Sequence, residues 1–255
     1  MEDTIVGPDE GAYDFFRKPE EKLSLEEYIT NVLDPNSEAY TEDLFSANVP
    51  GVEREYSNMA SDLCALIIQY VSNKSFRDFT QEHILDPLAM NASGWRFEDT
   101  EEATQSRLFA YKDMMICKYS ESSYPSGQFM TSSQDLALFL QELIRGYKGN
   151  GTLLSESGYE LLFSKKTFGD RTYGCFLEYT GDWMDIEDNI IGHNGADFGV
   201  FTGMYFNPER GTGKIMLSNT DTDFYDNLDV WPETKAVWKA LIEYEKQAWE
   251  INTNR

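Results

Sequence analysis

The sequence predicts an α+β fold in which a mainly helical part precedes a C-terminal antiparallel sheet flanked by helices. Before residue 165, apolar residues recur at helical spacing in several segments. After it, segments rich in Tyr, Phe, Ile and Val are separated by Gly, Asn and Asp, which is typical of short strands joined by turns. Helices followed by a meander of strands indicate the α+β class, because alternating strands and helices would indicate α/β.

Capping signals locate the predicted helices. Ser24 to Glu27 is a capping box, and Asp34-Pro35 ends the helix that it begins. A second helix follows Tyr56-Ser57-Asn58, with Ser57 or Asn58 as its N-cap. Its apolar residues are expected on one helical stripe: Met59, Leu63, Leu66, Ile67, Tyr70 and Val71. Further helices are predicted at about 75–85, 132–145, 155–163 and 233–250, whereas residues 91–131 show little periodicity.

Strands are predicted at residues 171–180, 186–193, 198–206 and 213–219, with a hairpin loop at 207–213. We expect the last helix to lay Trp238, Leu241 and Ile242 on one face of the sheet. The chain thus divides into a poorly ordered segment (1–22), a mainly helical part (23–165), and a sheet with the last helix (166–255). The last two parts are expected to form one compact unit.

Composition excludes several classes of partner. The 45 acidic and 21 basic residues give a net charge of −24, which argues against nucleic acids and anionic membranes, since both require basic patches. Acidity serves solubility, and binding of a basic partner is the alternative. Three scattered Cys and two His predict no disulfide framework, metal site or cofactor, and Cys64 is interpreted as a core residue. Residues 1–4 show no signal peptide, so the chain is cytoplasmic as written or exported if its N-terminus is missing.

Four motifs follow one another along the chain, and their order is informative. They are Tyr56-Ser57-Asn58, Pro87-Leu88-Ala89-Met90, the small-residue loop at 124–133 with its Ser132-to-Leu136 helix start, and His193-Asn194-Gly195. Over roughly residues 20 to 245, this order resembles the serine β-lactamase-like family of class C β-lactamases and D,D-peptidases. Ala89 stands where that family usually has Gly. The resemblance implies a β-lactamase/transpeptidase-like fold whose N-terminal strands are missing, which leaves the strand at 213–219 with an open edge.

The resemblance also implies roles for individual residues. Tyr56 would be the proton-shuttling phenol, helped by cationic neighbours, and Asn58 would orient the substrate amide. His193 would replace the Lys of the family's third motif. Asn194, Gly195 and Ala196 would contact the substrate, and the strand after Gly195 would supply an oxyanion N–H. We therefore predict that Tyr56, Asn58 and His193 line one cleft.

The family's nucleophile is the Ser of a Ser-x-x-Lys motif, and no Ser in this sequence has Lys three positions later. The sequence therefore predicts a truncated or partial hydrolase of the family, inactive alone, whose relatives act on small-molecule or peptide acyl substrates. The alternative is a catalytically dead protein of the same fold that binds a ligand or partner. Two local alternatives also remain: Tyr56-Ser57-Asn58 could be only a helix cap, and Asn194-Gly195 could be a hairpin turn.

Overall fold

A computed structural model of the chain describes residues 16–17, 23–111, 114–179, 189–220 and 231–253. Two compact units are present, one within residues 1–105 and 117–132 and the other within 106–116 and 133–255. Apart from Phe16 and Arg17, residues 1–22 lie outside the described residues.

The described α-helices, in chain order, are α1 (Leu25–Leu33), α2 (Asn58–Ser72), α3 (Phe76–Thr80), α4 (Tyr124–Gly127), α5 (Ser133–Tyr147), α6 (Glu156–Leu162) and α7 (Trp231–Thr253). The strands are β1 (Phe16–Arg17), β2 (Leu108–Tyr111), β3 (Met114–Ile116), β4 (Ser120–Glu121), β5 (Lys166–Phe168), β6 (Arg171–Tyr173), β7 (Ile191–Asp197), β8 (Val200–Asn207) and β9 (Thr212–Ser218). Short elements therefore occupy the stretch of 91–131 where the sequence shows little periodicity.

In the first unit, α1 packs against α2. The predicted capping box is present, because the Ser24 hydroxyl accepts the Glu27 N–H and the Glu27 carboxylate accepts the Ser24 N–H. Leu25 and Ile29 of α1 are buried against Ala65 and Leu66 of α2. A π-helical turn, Gln81–Leu85, follows α3, so the predicted helix at 75–85 is two short pieces.

The predicted apolar stripe of α2 lies mostly outside the buried side of the helix. Asp62, Ala65 and Leu66 form the buried side of this helix. Leu63, Ile67 and Val71 are exposed, and so is Cys64, which was expected in the core. The helix is apolar around most of its circumference, so periodicity alone could not select the face that meets α1.

The second unit is built around the antiparallel sheet β7-β8-β9. On one face, Leu140 and Leu143 of α5 pack against Phe206 and its neighbours. On the other, Trp238 and Ile242 of α7 form a cluster that contains Tyr205, with Leu241 packed at its side. The predicted fold class and the placement of the last helix are confirmed.

Two strand predictions differ from the structure. The strand predicted at 171–180 ends at Tyr173, and Glu178 makes a single bridge to Gly192. The strand predicted at 186–193 begins at Ile191, and residues 186–188 lie outside the described residues. The sheet strand β9 has a paired strand on one side only within the described part of the chain, as expected for an open edge. No helix among the described residues is long and apolar enough to cross a membrane.

The hairpin between β7 and β8 turns at Phe198-Gly199, so the alternative of a turn at Asn194-Gly195 is wrong. Gly199 has φ +74°, which favours glycine. A Cβ at Gly199 would also lie 2.5 Å from Ile116 Cδ1. Two requirements at Gly199 therefore place the turn there, and His193, Asn194 and Gly195 lie inside a strand.

Candidate functional site

Tyr56-Ser57-Asn58 lies at the N-terminus of α2. Ser57 is the N-cap, and its hydroxyl accepts the Ala60 N–H at 3.1 Å. Asn58 is the first helical residue and is exposed. Tyr56 keeps 57% of its surface exposed, so its ring is not a core residue. The motif therefore does cap the helix, and it also presents a phenol and an amide at the surface of the first unit.

A cation lies close to the phenol ring. The Arg54 guanidinium carbon is 5.9 Å from the centroid of the Tyr56 ring, within the range of a cation–π contact. Arg54 precedes the motif by two residues in sequence. Tyr56 therefore has a cationic neighbour, and its role as a proton shuttle stays a prediction.

Asp62 lies on the buried side of α2, one helical turn after Asn58. Its side chain is fully buried, and Oδ2 accepts the Ser126 hydroxyl from α4 at 3.2 Å. Oδ1 has no hydrogen-bond partner among the described residues. Burial raises the pKa of Asp62 to about 7, although hydrogen bonds from Ser126 oppose the shift. Burial and the charges of Asp62 and Glu121 likewise raise the pKa of Tyr28 to about 12.

The third motif lies within β7. His193 pairs with Met204 and Asn194 with Gly203 of β8. Gly192 permits this close pairing, because a Cβ there would lie 2.0 Å from the Met204 carbonyl oxygen. Beyond the bridge from Glu178 to Gly192, no described strand pairs with the outer edge of β7.

The residues of the third motif alternate between the two faces of the sheet. His193 and Gly195 lie on the face of Ile191, which packs in the cluster with α5. Asn194 and Ala196 lie on the other face, where the Tyr205 hydroxyl donates to Asn194 Oδ1 at 3.2 Å. A substrate on the His193 side would therefore meet Asn194 and Ala196 through the backbone only.

The structure brings the predicted residues together in two groups. Tyr56 and Asn58 share one helix end in the first unit, and His193, Asn194, Gly195 and Ala196 share one strand in the second. That the two groups line one cleft stays a prediction.

One residue, Asp62, escaped the sequence analysis. A carboxylate inside an apolar helical segment could have indicated this residue. Such a group is buried only when it has a polar partner. Its partner Ser126 lies in the small-residue loop that the sequence did identify. Within the described part of the chain, no three His, Cys, Asp or Glu side chains form a group that could hold a metal ion.

The sequence profile of the family described as Beta-lactamase matches residues 18–235. The chain belongs to the β-lactamase family. Protein flp of Staphylococcus aureus strain MW2 is 26% identical over 185 residues, which are 70% of this chain and 36% of that protein. This chain thus spans about a third of the length of the curated relatives that it matches.

Solved structures show the same fold. D-amino acid amidase from Ochrobactrum anthropi SV3, complexed with D-phenylalanine, has a TM-score of 0.60 and 18% identity, covering 77% of this chain and 61% of the amidase. A class C β-lactamase has a TM-score of 0.58 and 17% identity, covering 84% and 68%. The octameric penicillin-binding protein homologue from Pyrococcus abyssi has a TM-score of 0.55 and 20% identity, covering 76% and 48%.

Proposed function

We propose that this chain is a partial serine β-lactamase-like hydrolase that performs no acyl transfer by itself. Covalent acyl transfer requires an activated nucleophile, and the sequence has no Ser-x-x-Lys. The observation that carries the proposal is that both remaining motifs stand on regular elements, a helix N-terminus and a strand, while Ser57 is used as a helix cap.

In this proposal, Tyr56 transfers a proton and Asn58 orients the scissile amide or ester. His193 takes the place of the Lys of the third motif near the substrate carboxylate. The backbone of β7 around Gly195 pairs with the substrate and supplies an oxyanion N–H, which agrees with the lack of a described strand on that edge beyond Gly192. The substrate class is a small-molecule or peptide acyl compound, consistent with an amidase among the structural neighbours.

The second candidate is a catalytically dead binding protein of the same fold. It is favoured by the exposed Tyr56 and Asn58, which no described core packing requires. A binder would keep these groups for a ligand while dispensing with the nucleophile.

Mass spectrometry tests the absence of acyl transfer. The chain is incubated with a fluorescent penicillin and with an activated ester, beside a class C β-lactamase as positive control. We expect the control to acquire one adduct and this chain to acquire none. A stoichiometric adduct that disappears in Ser57→Ala would contradict the proposal and identify Ser57 as nucleophile. An adduct that persists in Ser57→Ala would also contradict the proposal and would indicate that another serine is the nucleophile.

Two measurements then separate the candidates. An in-frame Ser-x-x-Lys in the coding DNA upstream of Met1 supports the partial hydrolase. Saturable calorimetric binding of a penicillin or a D-amino acid amide, weakened in Tyr56→Phe, supports the binder if no such motif is encoded.

A further inference from the structure

A cavity of about 500 Å³ lies in the first unit at the far end of α2 from Tyr56 and Asn58. Its walls come from the start of α1, the last turn of α2, the start of α3 and the side chains of Trp95 and Tyr124. The helix places Asn73 roughly 22 Å from Asn58 at about 1.5 Å per residue, so the cavity is separate from the first motif. Its volume is in the range of sites for small organic ligands.

The apolar wall of the cavity is held in place by hydrogen bonds and ring contacts. Trp95 is 9% exposed, and its indole N–H donates to Thr80 Oγ1 at 2.8 Å. The Tyr124 ring meets Trp95 edge-on with centroids 5.7 Å apart, and Leu66 lies beside them. Such a wall offers an aromatic or aliphatic group a preformed surface.

The charged lining is mainly cationic, in contrast to the net charge of −24. Lys74, Arg77 and Arg96 line the cavity, whereas Glu26 is the single carboxylate among its described lining residues and already accepts the Tyr70 hydroxyl. Asp99 accepts the Nε and Nη2 groups of Arg77, and within the described part of the chain Nη1 has a 3.8 Å contact to Asp78.

The other two cations have weak competitors. Lys74 pairs with Glu82, and Arg96 Nη1 lies 3.6 Å from Glu98. Both carboxylates are more than half exposed, so these pairs are worth under about 1 kcal/mol and an incoming anion can compete with them. Gln69 adds a donor, because its Oε1 accepts the Phe76 N–H and the NH₂ group remains to be offered.

We propose that this cavity is a second binding site, for a small organic carboxylate with an aromatic or other apolar body. The ring would lie against Trp95 and Leu66, and the carboxylate would reach Arg96 and Lys74 at the open side. This inference does not depend on acyl transfer by the first motif.

Titration of the full chain followed by NMR tests the site, with phenylacetate as the probe. We expect saturable shifts of the Trp95 indole N–H, with a Kd on the order of 1 mM for a ligand of this size. 2-Phenylethylamine reverses the charge and acetate lacks the ring, so neither should saturate. Arg96→Gln should weaken phenylacetate about fivefold, and Arg171→Gln, an exposed charge removal in the second unit, should leave its Kd unchanged.

Three results would overturn the site: no saturation by phenylacetate, equal binding of 2-phenylethylamine, or equal effects of the two variants. A native spectrum of Arg96→Gln shows that the fold is intact. If that variant is misfolded, Lys74→Gln replaces it, because Lys74 pairs with the exposed carboxylate of Glu82.

Discussion

Asp62 is a buried carboxyl of α2, one helical turn after Asn58. One oxygen accepts Ser126, and the other has no partner among the described residues. The folded first unit therefore favours the neutral acid. A group whose pKa is raised stabilises the fold below its unfolded pKa of about 3.9 and loses that contribution as the pH rises through its folded value.

The Asp62→Asn variant tests whether the Asp62 carboxyl makes stability depend on pH. At pH 8 the variant should be more stable than the wild type by about 1–3 kcal/mol, because it removes a carboxylate whose burial is unfavourable, while its amide still accepts Ser126. At pH 4 the gain should disappear, since Asp62 is then protonated in the folded unit. Urea unfolding at both pH values, read by circular dichroism, measures the difference. Asp86→Asn, an exposed carboxylate in the same unit, should give no such pH dependence.

The placement of the candidate residues on the fold was only partly predictable. The order of the motifs predicts Tyr56, Asn58 and His193 as candidates, and their roles stay predictions. The same order could not show that Asn194 faces Tyr205 and His193 faces the other side, although strand alternation gives that result once β7 is known to run through Gly195. Asn194-Gly195 also fits a hairpin turn, so the sequence alone could not show that the strand continues through this pair.

At the scale of elements, α7 is fixed to β9 by a buried ionic cluster. Lys214 of β9 and Glu245 of α7 are paired and nearly fully buried. The Glu245 carboxylate also accepts the Thr212 hydroxyl and lies 3.4 Å from Arg210 Nε. The sequence predicted the apolar contacts of α7 through Trp238, Leu241 and Ile242. It could not predict this pair, because a Lys in a strand is ordinarily assigned to solvent.

Removing one residue of the Lys214–Glu245 pair should lower the free energy of unfolding far more than replacing both residues with apolar ones. Glu245→Ala should destabilise the chain by about 3–5 kcal/mol, because it leaves the Lys214 ammonium buried and unpaired. The double variant Lys214→Met with Glu245→Leu should recover most of this loss. Lys239→Ala, on the exposed side of α7, should change stability by less than about 0.5 kcal/mol. Equal losses in the single and double variants would show that the pair contributes packing and no charge compensation.

At the scale of the whole molecule, a buried carboxyl in each unit has a shifted pKa, and the two shifts have opposite directions: the pKa of Asp62 in the first unit is raised and that of Glu142 in the second is lowered. In the second unit, Glu142 of α5 is 1% exposed, and burial acts to raise its pKa. Hydrogen bonds from the Tyr159 hydroxyl and the Thr152 and Leu153 N–H groups outweigh burial and lower the pKa to about 2. The Arg145 guanidinium adds an ion pair at 2.8 Å.

The two units should therefore respond to pH with opposite slopes. Glu142 stabilises the second unit above its unfolded pKa of about 4.3, and up to about 3 kcal/mol is lost as the pH falls towards 2. Asp62 makes the first unit lose stability as the pH rises through about 7. Hydrogen exchange with mass spectrometry, corrected for intrinsic rates, reads α5 and α2 separately in one sample. Glu142→Gln should flatten the acid loss in α5 alone, and Asp62→Asn the alkaline loss in α2 alone. The net charge of −24 acts on both units at once. If that charge caused the pH dependence, each variant would change the exchange protection of both helices. A change confined to one helix in each variant assigns the two slopes to Glu142 and Asp62.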